Sequence, residues 1–197
     1  RDFVFSVNRV TGDVFSLLDN LLKWTRLQLG KTQLQKQKIT LADLIESVSG
    51  NYTALAGHRQ IVLNTAFQNP DHPEQSSTLK NEEIEVDVEM FKTMLNNLIS
   101  NSIRFSQPGS QIIVGAEKRG NRMTLYVKDF GKGMSAEECS KLFKPNFKYT
   151  SAIAKAENGY GLGLLLCKKF IELHQGHIEI QSEENKGTTV LLEFPVS

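Results

Sequence analysis

Glycines set at two junctions constrain this chain most: Gly131 and Gly133 follow a strand-like run, and Gly159, Gly161 and Gly163 immediately precede a helix-like one. A residue without Cβ lets the backbone turn sharply and approach a ligand or another chain segment closely. At a helix start, unpaired N–H groups and the positive end of the dipole favour an anion such as phosphate. A Rossmann turn does not fit, because these glycines do not share one strand–turn–helix unit with a downstream acid, and no GxxxxGK[ST] loop occurs.

Around these junctions, strand and helix patterns alternate in an α+β manner. Phe3, Val7, Val10, Val14, Leu17, Leu21 and Trp24 form a heptad seam, widened by Val4, Phe15, Leu18 and Leu22 as in a helix of a four-helix bundle. Gly30 marks its expected stop. "KTQLQKQKIT" (31–40) reads as a polar connector, and Leu41 to about Asn51 as an amphipathic helix. "QIVLNTAF" (60–67) and "EIEVDV" (83–88) read as strands joined by an exposed loop. Asp87 can cap a helix running to Phe105, and "QIIVGAEK" and "RMTLYVKD" form a hairpin ending at Asp129. A short helix near Ala136 to Leu142, a lid-like stretch from Phe143 to Tyr160, a helix from Leu162 to His174 and two closing strands complete the chain.

With 197 residues the chain can bury a real core, and 23 Lys+Arg against 22 Asp+Glu give no electrostatic case for nucleic acid or a membrane surface. No apolar run approaches the roughly 20 residues that span a bilayer, so this segment is not expected to insert. Cys139 and Cys167 lack metal-ligand spacing, which suits a reduced, cytoplasmic compartment; a membrane-anchored parent stays open, since the first residue is Arg.

Three features carry chemistry. Asn97, Asn101 and Arg104 are spaced by four and three, so two amides and a guanidinium share a helical face that a Mg²⁺-bound polyphosphate would satisfy. Asp129 closes a strand and can accept a hydrogen bond from an exocyclic amine such as adenine N6. The glycines from Gly159 to Gly163 suit phosphate. Each alone has a plain alternative: a solvated helix face, an ordinary strand-end turn, or close packing at a helix start.

Taken in order, the segments resemble the sensor histidine kinases. "NNLISNSIRFS" (96–106) is similar to their N box, "DFGKG" (129–133) and "GYGLGL" (159–164) to their glycine boxes, "LFKPNF" (142–147) to their F box, and "KGTTVLLEFP" (186–195) to their terminal strand pair. "LLDNLLKWTRLQLGK" (17–31) resembles the second helix of their dimerisation and phosphotransfer bundle. The resemblance implies a two-layer α/β sandwich of the GHKL (Bergerat) type over residues 39–197, preceded by a bundle helix and linker over 1–38. It implies ATP and Mg²⁺ as cofactors, with Asn101 on the metal, Asn97 and Arg104 on phosphate, Phe105 lining the base pocket, and Asp129 with Thr188 on adenine. Gly131 and Gly133 would let the backbone turn sharply and approach the ATP closely; Gly159, Tyr160, Gly161, Leu162 and Gly163 would border the triphosphate, and Lys148 would be a lid cation that meets phosphate. Ser102 stands for a usual Ala, Arg104 for a frequent Lys, and Asn146 for a common F-box aromatic.

ATPase branches of the fold place a Glu one helical turn before the metal-binding Asn, as general base; Asn97 stands there and cannot accept a proton. That fits phosphoryl transfer with the acceptor supplied elsewhere. No "HELRTP"-like segment occurs, and His58, His72, His174 and His177 read as structural or solvent-facing. The implied partners are a response-regulator receiver domain and a second copy through the bundle helix; the competing reading is a nucleotide-binding module without turnover.

Overall fold

The computed structural model describes residues 18–29, 33–143 and 162–196. Residues 18–28 form helix α1. Strand β1 (Lys36–Thr40) leads into α2 (Leu41–His58), β2 (Val62–Gln68), a short 3₁₀ turn and α3 (Ser76–Leu79), then β3 (Glu83–Asp87) and α4 (Val88–Phe105). The hairpin β4 (Gln111–Arg119) and β5 (Arg122–Asp129) precedes α5 (Ala136–Lys141), α6 (Leu162–Leu173), and the final hairpin β6 (His177–Glu183) and β7 (Gly187–Pro195). Gly30, residues 1–17 of the heptad seam and most of the expected lid lie outside the described residues.

Five strands form one mixed sheet in the order β2-β4-β5-β7-β6, with β2 parallel to β4 and the remaining pairs antiparallel. Period-two alternation sends Ile112, Val114, Ala116, Met123, Leu125, Val127, Leu192 and Phe194 to the buried face. Helices α2, α4 and α6 pack on that face, giving one layer of helix on one of sheet. On α4, Phe91, Met94, Leu95, Leu98 and Ile99 recur at helical spacing and are almost fully buried. Burial of each is worth about 1.5–3 kcal/mol. Asp87 Oδ1 caps α4 by accepting from the Met90 N–H at 3.1 Å.

Three expectations are corrected. Lys36–Thr40, expected to be a polar connector, is a strand paired antiparallel with β3 from Lys36 opposite Asp87 to Thr40 opposite Glu83. Only its end approaches the core, through Ile39, so its sequence carries no apolar alternation. Helix α2 runs on past Asn51 to His58, because Tyr52 and Ala56 continue its packed stripe through the weak helix formers Gly50, Asn51 and Gly57. The segment between β2 and β3 is not wholly exposed loop: α3 buries Leu79.

His174, at the end of α6, bonds through both ring nitrogens: Nδ1 lies 2.8 Å from the Phe170 carbonyl, and Nε2 accepts from the Asp87 N–H at 3.0 Å. This is the structural role expected of it, and it fixes a neutral ring protonated on Nδ1. Desolvation pushes its pKa below the usual value, with Lys36 adding to that effect, while the Phe170 hydrogen bond and Asp87 oppose it. A His with a depressed folded pKa is protonated more readily in the unfolded chain. Its contribution is therefore complete above about pH 6.5 and lost as pH falls toward the lower folded value. Urea midpoints measured from pH 7.5 to 5.0 should fall with acid, and His174→Gln, whose amide oxygen can still accept from Asp87, should flatten the part of that slope near pH 6.

Cys167 is fully buried beneath α4, and desolvation pushes its thiol pKa up to about 12, so it is an inert apolar group. Among the described residues no helix is long and apolar enough to cross a membrane.

Candidate functional site

The C-terminal half of α4, the end of β5 and the start of β7 meet at one place, and Asp129 is its centre. Asp129 is the last residue of β5; alternation turns its side chain to the buried face, leaving it 7% exposed. Its Oδ1 accepts from the Gly131 N–H at 3.0 Å and from the Thr188 N–H at 3.1 Å. Its Oδ2 accepts from the Ser102 hydroxyl at 3.2 Å. Burial pushes the carboxyl pKa up, and these three hydrogen bonds pull against that shift. One oxygen is thus held by two backbone donors, while the other keeps capacity for a further donor.

The glycines make this approach possible. A Cβ on Gly131 would overlap the Phe105 carbonyl, one on Gly133 (φ 62°) the Glu183 carbonyl, and one on Gly187 (φ 100°) the Asp129 carbonyl. The turn after β5 is thereby pressed onto the end of α4 on one side and the β6–β7 turn on the other. Thr188 stands beside Asp129; its N–H serves the carboxylate, and its hydroxyl shares a hydrogen bond of 2.8 Å with Ser182. Phe105 closes α4, and Lys132 Nζ lies 4.5 Å from its ring centroid.

Asn97, Asn101 and Arg104 are all half-buried on α4. Asn97 Oδ1 accepts from Asn20 of α1 at 3.1 Å, whereas Asn97 Nδ2 is buried with no hydrogen-bond partner among the described residues. An orphaned buried amide donor is costly, and a ligand oxygen is the partner its chemistry calls for. Leu162 and Gly163 open α6 against this face, and a Cβ on Gly163 would come within 2.9 Å of Asn97 Oδ1. Gly163 therefore has a packing role: it lets α6 approach α4. Lys148, Gly159, Tyr160 and Gly161, together with Asn146 of the F box, lie outside the described residues.

The family model described as histidine kinase-, DNA gyrase B- and HSP90-like ATPase matches residues 86–197. The chain belongs to this ATPase family. Two curated relatives are sensor proteins: EvgS of Escherichia coli O157:H7, 29% identical over 187 residues, and SrrB of Staphylococcus aureus (strain NCTC 8325 / PS 47), 29% identical over 179 residues. These alignments take in 93% and 91% of this chain but only 15% and 29% of the relatives' own lengths. Among solved structures, the catalytic domain of histidine kinase ThkA matches with a TM-score of 0.66 at 24% identity, over 82% of this chain and 96% of that one. Full-length ShkA in complex with AMPPNP matches with a TM-score of 0.77 at 20% identity, over 100% of this chain and 39% of that one. ThkA in complex with the response regulator protein TrrA gives 0.70 at 19%, over 98% and 51%. Family model, relatives and fold agree on an ATPase domain of the sensor histidine kinase kind.

Two features of this ATPase domain were not evident from sequence. The Ser102 hydroxyl on Asp129 is one: Ser102 was visible as a departure from Ala, but its partner lies 27 residues away. The other is the contact of α1 with α4. Asn20 reaches Asn97, and Lys23 Nζ bonds the Thr93 hydroxyl at 3.0 Å while pairing with Asp19. Trp24 and Leu27 pack against the core, and Leu18, Leu21, Leu22 and Leu29 stay exposed.

Proposed function

We propose that this domain holds Mg²⁺–ATP for phosphoryl transfer to a histidine on a bundle helix outside these residues, from which the phosphate passes to an aspartate of a response-regulator receiver domain. The observation that carries this reading is the Asp129 carboxylate, with Oδ1 held by two backbone N–H groups and Oδ2 able to accept one more donor. That is an acceptor suited to an adenine amine. Asn97 Nδ2, buried without a partner among the described residues, suits a phosphate oxygen on the same side of α4. Asn101 would hold the metal and Arg104 a phosphate, with Phe105 at the base. When bound, Mg²⁺ would neutralise charge on the phosphates. Gly159, Tyr160, Gly161 and Lys148 are assigned to the triphosphate by resemblance alone.

The domain itself positions: it offers no general base at Asn97, which argues against water as the nucleophile. The AMPPNP in the ShkA structure and the response regulator bound to ThkA support the ligand and the partner. A cytoplasmic working place follows from such a partner. The exposed leucines of α1 support pairing with a second copy through a helix bundle.

Calorimetry with a non-hydrolysable Mg²⁺–ATP analogue should give saturable binding by this chain. A longer protein that adds a phosphoacceptor helix should take up γ-phosphate in an acid-labile form; binding without such uptake would favour a nucleotide-binding module without turnover. Sedimentation that finds only monomer at every concentration would remove the pairing through α1.

A further inference from the structure

Helix α1 meets α4 along one stripe. Asn20, Lys23, Trp24 and Leu27 stand at i, i+3, i+4 and i+7 and so share a helical face. Asn20 Nδ2 donates to Asn97 Oδ1 at 3.1 Å, and Lys23 Nζ donates to the Thr93 hydroxyl at 3.0 Å. As α1 advances from 20 to 23, its partners on α4 step back from 97 to 93, so the two helices run in opposite directions. Trp24 and Leu27 pack against the core, so apolar contact seats α1 alongside the two polar ones.

An asparagine amide has an accepting end and a donating end of nearly the same shape, and the hydrogen bonds made by one end decide what the other presents. On Asn97 the accepting end is taken by Asn20; Nδ2 is thereby turned the other way and stands buried without a partner among the described residues. Resting on the nucleotide reading above, we propose that Asn20 is a positioning residue for the triphosphate: by donating to Oδ1 from α1, it holds the Asn97 amide with its N–H group toward a phosphate oxygen. Turned over, the same amide would set Oδ1 against the phosphate, lone pair to lone pair. The matched family model begins at residue 86, so the contact brings a residue of the preceding helix into the support of the nucleotide site.

The test is a double-mutant cycle on this chain: Asn20→Ala, Asn97→Ala and the two together, each titrated by calorimetry with a Mg²⁺–ATP analogue and with adenosine. The emission of Trp24, the one tryptophan of the chain, reports whether α1 stays seated. Asn20→Leu, which fills the space without donating, replaces the alanine variant if alanine unseats the helix. Ordering one side chain at a binding site corresponds to about two- to tenfold in affinity. Asn20→Ala should therefore bind the ATP analogue about two- to tenfold more weakly and adenosine as before. In the Asn97→Ala background, removing Asn20 should cost nothing further, because it acts through that amide. Equal weakening of both ligands, no weakening at all, or the same cost in both backgrounds overturns the inference while leaving the nucleotide site standing. If the unsubstituted chain does not bind the ATP analogue, or Asn97→Ala binds it as tightly, the phosphate assignment itself fails and the inference with it.

Discussion

Asp129→Asn should abolish most nucleotide affinity while leaving the fold close to intact. The asparagine carbonyl can take the place of Oδ1 and still accept from the Gly131 and Thr188 N–H groups. Its amide nitrogen then stands at the position of Oδ2 and offers a donor where an adenine amine also donates. Removing a hydrogen bond to a charged acceptor and replacing it with donor against donor amounts to about 3 kcal/mol, or roughly a hundredfold in affinity. Asp129→Ala should lose binding equally but also stability, by about 1–3 kcal/mol, since two backbone donors lose their acceptor. Calorimetry with an ATP analogue beside urea unfolding separates the two effects. Unchanged affinity in Asp129→Ala would refute the adenine assignment.

Gly187→Ala should be among the most damaging single substitutions in the chain. Gly187 has φ of 100°, which an L side chain rarely adopts, and a Cβ there would overlap the backbone carbonyl of Asp129. Neither obstacle can be relieved by a side chain swinging away, because the opposing atoms are backbone. Strained conformation and overlap together should cost about 3 kcal/mol or more. The damage is also local to function: moving Gly187 moves the Thr188 N–H off Asp129, so nucleotide affinity should fall along with the urea midpoint. Gly50 provides the contrast. It lies exposed within α2 with nothing within 4 Å of an added Cβ and no positive φ, so Gly50→Ala should stabilise by about 0.5–1 kcal/mol and leave binding unchanged. Equal behaviour of the two variants would show that the backbone at Gly187 can relax.

Helix α4, the β4–β5 hairpin and the closing strands were legible in the sequence because each carries its own period: 3.6 along Phe91, Met94, Leu95 and Leu98, and two along Met123, Leu125 and Val127. The position of Asp129 was legible for the same reason, since it ends a strand just before two glycines. Strand β1 was not, because its pairing with β3 depends on backbone hydrogen bonds that any polar sequence can make. The full length of α2 was hidden by glycines whose cost is offset by tertiary burial of Ala56.

By itself, then, the sequence determined which residues stand on one helical face, which acid closes a strand, and where a chain without Cβ can bend, since all of these follow from local geometry and spacing. Only the tertiary structure decided what those groups meet. It brought Ser102, Gly131 and Thr188 onto one carboxylate, set Gly163 against Asn97, and left the amide nitrogen of Asn97 buried without a partner among the described residues. The physical reason is that hydrogen bonds across 27 or 59 residues are fixed by how sheet and helices pack, and no local period records that packing.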